Sequence, residues 1–68
     1  MSESANLLEL SKRMIQKLHD ESKVLQEQAL RYSAEGDYEK CCESLQKQRD
    51  AISAQIGMVQ AAKHLTAT

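Results

Sequence analysis

The sequence has no proline and only two glycines, Gly36 and Gly57. Nothing along it breaks a helix by ring geometry, and special backbone freedom is confined to two places. Aromatic residues are limited to Tyr32 and Tyr38, with no Phe and no Trp. That composition favours long uninterrupted helices over strands and turns. No apolar run approaches the ~20 residues that would cross a bilayer, which argues against membrane insertion. The opening MSESANLLEL lacks a basic stretch ahead of its apolar residues and does not read as a signal peptide. Neither sign of charge dominates: nine basic residues meet ten acidic ones, for a net charge of −1. Long-range attraction to nucleic acid or anionic lipid is therefore absent. The two cysteines, Cys41 and Cys42, are adjacent, so there is no framework of spaced disulfides. Together these features lead us to expect a cytosolic protein.

What is present is 41% apolar and 28% charged, a balance that supports a folded chain rather than a disordered one. Its 68 residues make one domain, 1–68, with frayed ends expected at about 1–4 and 66–68. A first helix is expected from Asn6. Asn6 and Glu9 form a capping-box pattern with Ala5 and Leu10 as a weak staple, and Ser4 is the other candidate cap. From there Leu8, Ser11, Ile15, Leu18, Ser22, Leu25, Ala29 and Tyr32 keep 3–4 spacing, widened by Leu7 and Met14. The opposite side holds Glu9, Lys12, Arg13, Gln16, Asp20, Lys23 and Glu27.

YSAEGDYEK ends that helix and starts another. Gly36 suits the left-handed residue after a helix end, Asp37 suits an N-cap, and Glu39 suits a positive first turn. A stop signal touching a start signal implies a tight turn between antiparallel helices. The expected fold is therefore all-α: a single antiparallel two-helix hairpin, about 6–34 and 38–65, with coiled-coil-like packing. The second helix offers Tyr38, Cys41, Cys42, Leu45, Ile52, Ile56 and Val59 as its main apolar stripe. Facing residues in such a hairpin have position numbers of constant sum. A sum near 70 sets Tyr32 by Tyr38, Leu25 by Leu45, Leu18 by Ile52 and Ile15 by Ile56. These residues and Leu8 and Val59 form the expected intramolecular core. Glu21 and Ser22 would then meet Gln48 and Arg49 in a polar layer able to set register.

The second helix has another line of apolar and small residues. Ala51, Ala54, Gly57, Met58, Ala61, Ala62 and Leu65 fall on a different side from Leu45. A strip of small side chains lets a second backbone approach closely, which offsets the helix cost of Gly57. We therefore expect these seven residues to bind a partner. A chain this small buries only ~60% of its unfolded surface even when globular, and each of two helices has just one neighbour. The hairpin lacks a third layer.

Catalytic and metal chemistry is not visible. Two adjacent cysteines would have to recruit His19 and His64, which are distant along the hairpin, to make a zinc site. Both thiols read as small hydrophobes near the corner. No nucleophile–base arrangement, glycine-rich phosphate loop or paired-carboxylate pocket occurs, so neither an enzyme nor a cofactor is expected. Lys12, Arg13, Lys17 and Lys23 are interspersed with acids and read as a solvated face rather than a nucleic-acid site.

LQKQRDAISAQIGMVQ, residues 45–60, has a glutamine-rich first half, then an apolar segment of small residues around Gly57. With the chain length and the Gly-Asp corner, it resembles the small YscE-like co-chaperones of the bacterial type III secretion needle protein. The resemblance implies a cytoplasmic helical hairpin that binds a larger, tetratricopeptide-like chaperone. Through that chaperone it would help keep the needle subunit soluble and unpolymerised, without catalysis or metal. Cys41–Cys42 and the mixed charge pattern depart from the family. A different expectation is a self-associating hairpin, a homodimeric four-helix bundle with a regulatory or RNA-binding role. A third is a piece of a tetratricopeptide domain, where corners like EGDYEK are common; the starting Met and the cap pattern near it argue against that.

Overall fold

The computed structural model describes residues 3–66. It consists of α1 (Glu3–Glu35) and α2 (Tyr38–Thr66), joined by Gly36 and Asp37 alone. The expected all-α hairpin is what forms. The two helices lie side by side in a rod 52 × 15 × 10 Å. One boundary differs from expectation. α1 is already helical at Glu3, so Asn6 lies inside the helix and is not its cap. No breaker separates Glu3 from Asn6, and a carboxylate in the first turn complements the helix dipole. Of the ends expected to fray, Glu3, Ser4 and Thr66 are helical, whereas residues 1, 2, 67 and 68 and the Ser4 side chain lie outside the described residues. The Thr66 hydroxyl donates to the Lys63 carbonyl at 2.9 Å in the last turn of α2.

The corner is built by the residues the sequence points to. Gly36 takes φ +79°, the left-handed conformation that L side chains resist. The Gly36 amide donates to the Ser33 carbonyl at 3.1 Å and the Asp37 amide to the Tyr32 carbonyl at 2.9 Å. This pair of bonds is a Schellman closure, and it satisfies two carbonyls that the end of α1 would otherwise leave open. Asp37 then starts α2. Its Oδ1 accepts from the Lys40 amide at 3.2 Å, and its carbonyl accepts the first helical bond, from Cys41, at 3.0 Å. Lys40 also reaches back over the Tyr32 ring, 5.8 Å from its centre, tying the two helices at the bend.

With no slack in the connection, the corner fixes the rotational phase of α2. Asp37 is half-buried at the seam, and steps of three and four residues from it lead to Cys41, Ser44, Gln48, Ala51, Gln55, Met58, Ala62 and Leu65. These are the buried or half-buried positions of α2. On α1 the inward positions are the expected stripe, Leu8 through Tyr32, with Gln28 beside it. Counted outward from the corner, Tyr32 matches Cys41, Ala29 matches Ser44, and Leu25 matches Gln48. Ser22 then matches Ala51, Leu18 matches Gln55, Ile15 matches Met58, Ser11 matches Ala62, and Leu8 matches Leu65. The residue numbers in these pairs add to 73 rather than 70. The Gln48 amide donating to Gln26 Oε1 at 3.1 Å agrees with that register.

The expected core of α2 is therefore overturned. Tyr38 is 71% exposed, Ile52 43% and Ile56 54%, and Leu45 and Val59 are exposed as well, whereas Ala51 is only 8% exposed. Small residues won the inner face because they let the helix backbones approach closely, and interaxial distance depends on side-chain size at the contact. Ser22 against Ala51 and Ala29 against Ser44 are two such close layers, and all four residues are buried. Leu25 fills the wider gap between them, and Leu18 and Ile15 continue the seam beyond Ser22. The expected polar layer also changes. Glu21 and Arg49 are exposed, and the polar link across the helices is Gln26 with Gln48. The Ser11 hydroxyl donates to the Leu7 carbonyl at 2.9 Å, which lets a hydroxyl sit in the seam.

Candidate interaction face

The seam leaves much of the apolar surface open. Among the described residues the only apolar side chains that are buried are Ala29 and Ala51, and no large side chain is fully enclosed. The chain exposes 5340 Å². A compact monomer of 7.7 kDa would expose about 4,300 Å², so roughly 1,000 Å² more than usual faces outward. The radius of gyration, 15.6 Å, likewise exceeds the roughly 11 Å of a globule of this length.

The excess is arranged. On α2, Leu45, Ile52 and Val59 are spaced by seven residues, with Ile56 between the last two, so they share one stripe immediately beside the seam. A cleft of about 380 Å³ joins this stripe to α1. Gln26, Ala29, Leu30 and Ser33 line it from α1, and Cys41, Leu45, Gln48 and Ile52 from α2. Leu30, Leu45, Ile52, Ile56 and Val59 are all exposed, and they form an elongated apolar strip along one flank of the rod. Helical spacing on both helices supplies this strip, because α2 carries a second 3–4 repeat out of phase with the first.

The residues expected to bind a partner divide between two places. Ala51, Met58, Ala62 and Leu65 lie in the intramolecular seam, the first buried and the others half-buried. Ala54, Gly57 and Ala61 are exposed on the flank opposite the cleft, where Leu7, Leu10 and Met14 of α1 are also exposed. Open space surrounds the Gly57 Cα, with nothing within 4 Å of where a Cβ would sit. The strip Leu45–Ile52–Ile56–Val59 is visible in the sequence, but ranking by bulk puts it on the inside.

Polar chemistry on the rod is dispersed. Among the described residues no three of His, Cys, Asp and Glu gather as metal ligands would. Cys41 is half-buried at the seam, but Cys42 is exposed, with the Gln46 amide 3.7 Å from its sulfur; it is not a buried packing residue. His19 and His64 are exposed. The ion pairs Arg13–Glu9, Lys40–Asp37 and Arg49–Asp50 lie between 3.7 and 3.9 Å on solvated side chains and contribute little to stability. A shallow, mainly apolar trough along α1, lined by Val24 and Leu25 and edged by Arg13, Gln16, Lys17, Asp20 and Glu21, lies on one helix only and has no second wall. Among the described residues no helix is long and apolar enough to cross a membrane.

What this geometry defines is a helical hairpin whose outward stripe is as apolar as its seam. Comparison of the chain with protein-family models, with curated proteins and with solved structures gives no match.

Proposed function

We propose that this chain is an interaction module, a cytoplasmic co-chaperone of the YscE-like kind. It binds a larger tetratricopeptide-like chaperone in a bacterial cell, and the pair keeps a type III secretion needle subunit soluble and unpolymerised. The hairpin performs no chemistry and needs no cofactor in this role. The observation that carries the reading is the open apolar strip of α2, which lies within the segment that resembles the family, residues 45–60. A helical-repeat protein ends in an apolar helix face that needs capping. A two-helix rod with an uncovered stripe supplies the complementary layer, so each stabilises the other by mass action. Co-expression with the neighbouring chaperone and needle genes tests this. Co-purification of the three is the expected result, and separate elution of the hairpin refutes it.

A further inference from the structure

Cations outnumber acids along the open strip. The cleft sets Gln26 and Leu30 of α1 beside Leu45 and Ile52 of α2, which fixes the flanks that share a face. Heptad steps extend these columns along the rod. Lys23 lies seven residues before Leu30, and Lys12 lies fourteen before Gln26. Arg49 and Lys63 lie seven residues either side of Ile56. All four cations are exposed. Among the described residues the same columns hold one carboxylate, Glu9, at the far end, where it pairs with Arg13 at 3.7 Å. Asp50 lies 3.9 Å from the Arg49 guanidinium but projects from a column further round the helix.

We propose that this face receives an amphipathic helix of another protein whose apolar stripe is bordered by Asp and Glu. The proposal rests on the chain being an interaction module, but not on the identity of its partner. Apolar residues at heptad spacing on α2, together with the cleft wall of α1, form a groove shaped for a third helix. Four exposed cations beside it favour a partner of opposite sign and steer its approach. A second copy is disfavoured by the same charges, since a two-fold contact through this face brings Lys23 and Arg49 against their own counterparts. An anionic bilayer fits less well. Helices that lie on membranes are rich in Lys and Arg with bulky aromatics, whereas this chain has net charge −1 and no Phe or Trp.

The test uses the full chain and two fluorescein-labelled designed peptides with identical leucine stripes, one flanked by Glu and the other by Lys. In anisotropy titrations at low salt the Glu peptide should bind at least about tenfold more tightly, a gap that four exposed pairs can supply, and salt should narrow it. Ile52→Asp should abolish binding, and Lys23→Glu with Arg49→Glu should cancel the preference. Every substituted side chain is exposed, so circular dichroism of the variants should match the parent. Equal binding of both peptides overturns the proposal, as does binding that survives Ile52→Asp. So do a dimer that Ile52→Asp dissolves, and displacement of the peptide by phosphatidylserine vesicles. Co-purification with the chaperone that survives the charge reversal sinks this inference and leaves the proposed function standing. Peptide binding without such co-purification does the opposite.

Discussion

The same substitution at the two glycines should have opposite effects. Gly36 sits at φ +79° with nothing within 4 Å of where a Cβ would sit, so Gly36→Ala meets no steric neighbour. Its whole cost is conformational, about 1 kcal/mol for holding an L side chain in the left-handed region. Gly57 also has open space around it but lies inside α2 with ordinary helical dihedrals. Gly57→Ala removes unfolded-state entropy and adds a good helix former, for a gain of about 0.8–1 kcal/mol. For a domain of this size each kcal/mol moves the melting temperature by about 4–8 °C. Thermal and urea melts followed by far-UV circular dichroism should therefore show Gly36→Ala lower and Gly57→Ala higher than the parent by similar amounts. A destabilised Gly57→Ala would mean that a backbone approaches Gly57 in the free chain, and a neutral Gly36→Ala would mean that the corner is not left-handed. Either result refutes the reasoning.

Further expectations follow from the corner and the seam. Asp37→Ala removes the acceptor of the Lys40 amide and should cost about 1 kcal/mol in a urea melt, with Asp37→Asn nearly harmless. Met58→Asp places a carboxylate in the seam opposite Ile15 and should melt the hairpin outright by circular dichroism. Ile52→Ser, at an exposed position, should shift the free chain's stability by no more than about 0.5 kcal/mol, while Ala51→Leu overpacks the Ser22 layer and costs about 1–3 kcal/mol. Glu9→Ala breaks the exposed pair with Arg13 and should leave the melt unchanged within error.

Much of this molecule can be read from its sequence. α1 has one main apolar stripe, and 3–4 spacing identifies its inward positions from Leu8 to Tyr32, all but Gln28. Gly36 and Asp37 mark the corner because their backbone and capping chemistry have few substitutes. α2 is ambiguous because it has two stripes. Ranking them by bulk puts Leu45, Ile52, Ile56 and Val59 inside, and that choice fails. The direct connection through Asp37 sets the helix phase, and the Ser22–Ala51 and Ala29–Ser44 layers then close tightly around small side chains. The error in phase carries over to the interaction site. Four of the seven residues expected to meet a partner are in the seam, and the stripe expected in the seam is open. A heptad frame counted from the N-cap, rather than a ranking by size, separates them. The charged border of the open face depends on which flanks of two helices come together, and no single-helix pattern contains that.

The orientation of α2 underlies both the proposed docking and its charge preference. Thiol reactivity measures it directly, in a background with Cys41→Ser and Cys42→Ser. Ala51→Cys and Ile52→Cys differ by one position, and the rate of modification by an aromatic disulfide reports which of the two faces solvent. Labelling should be rapid at Ile52→Cys, where Ile52 is 43% exposed, and several-fold slower at Ala51→Cys, where Ala51 is 8% exposed. The opposite order would place the large stripe in the seam and contradict this orientation.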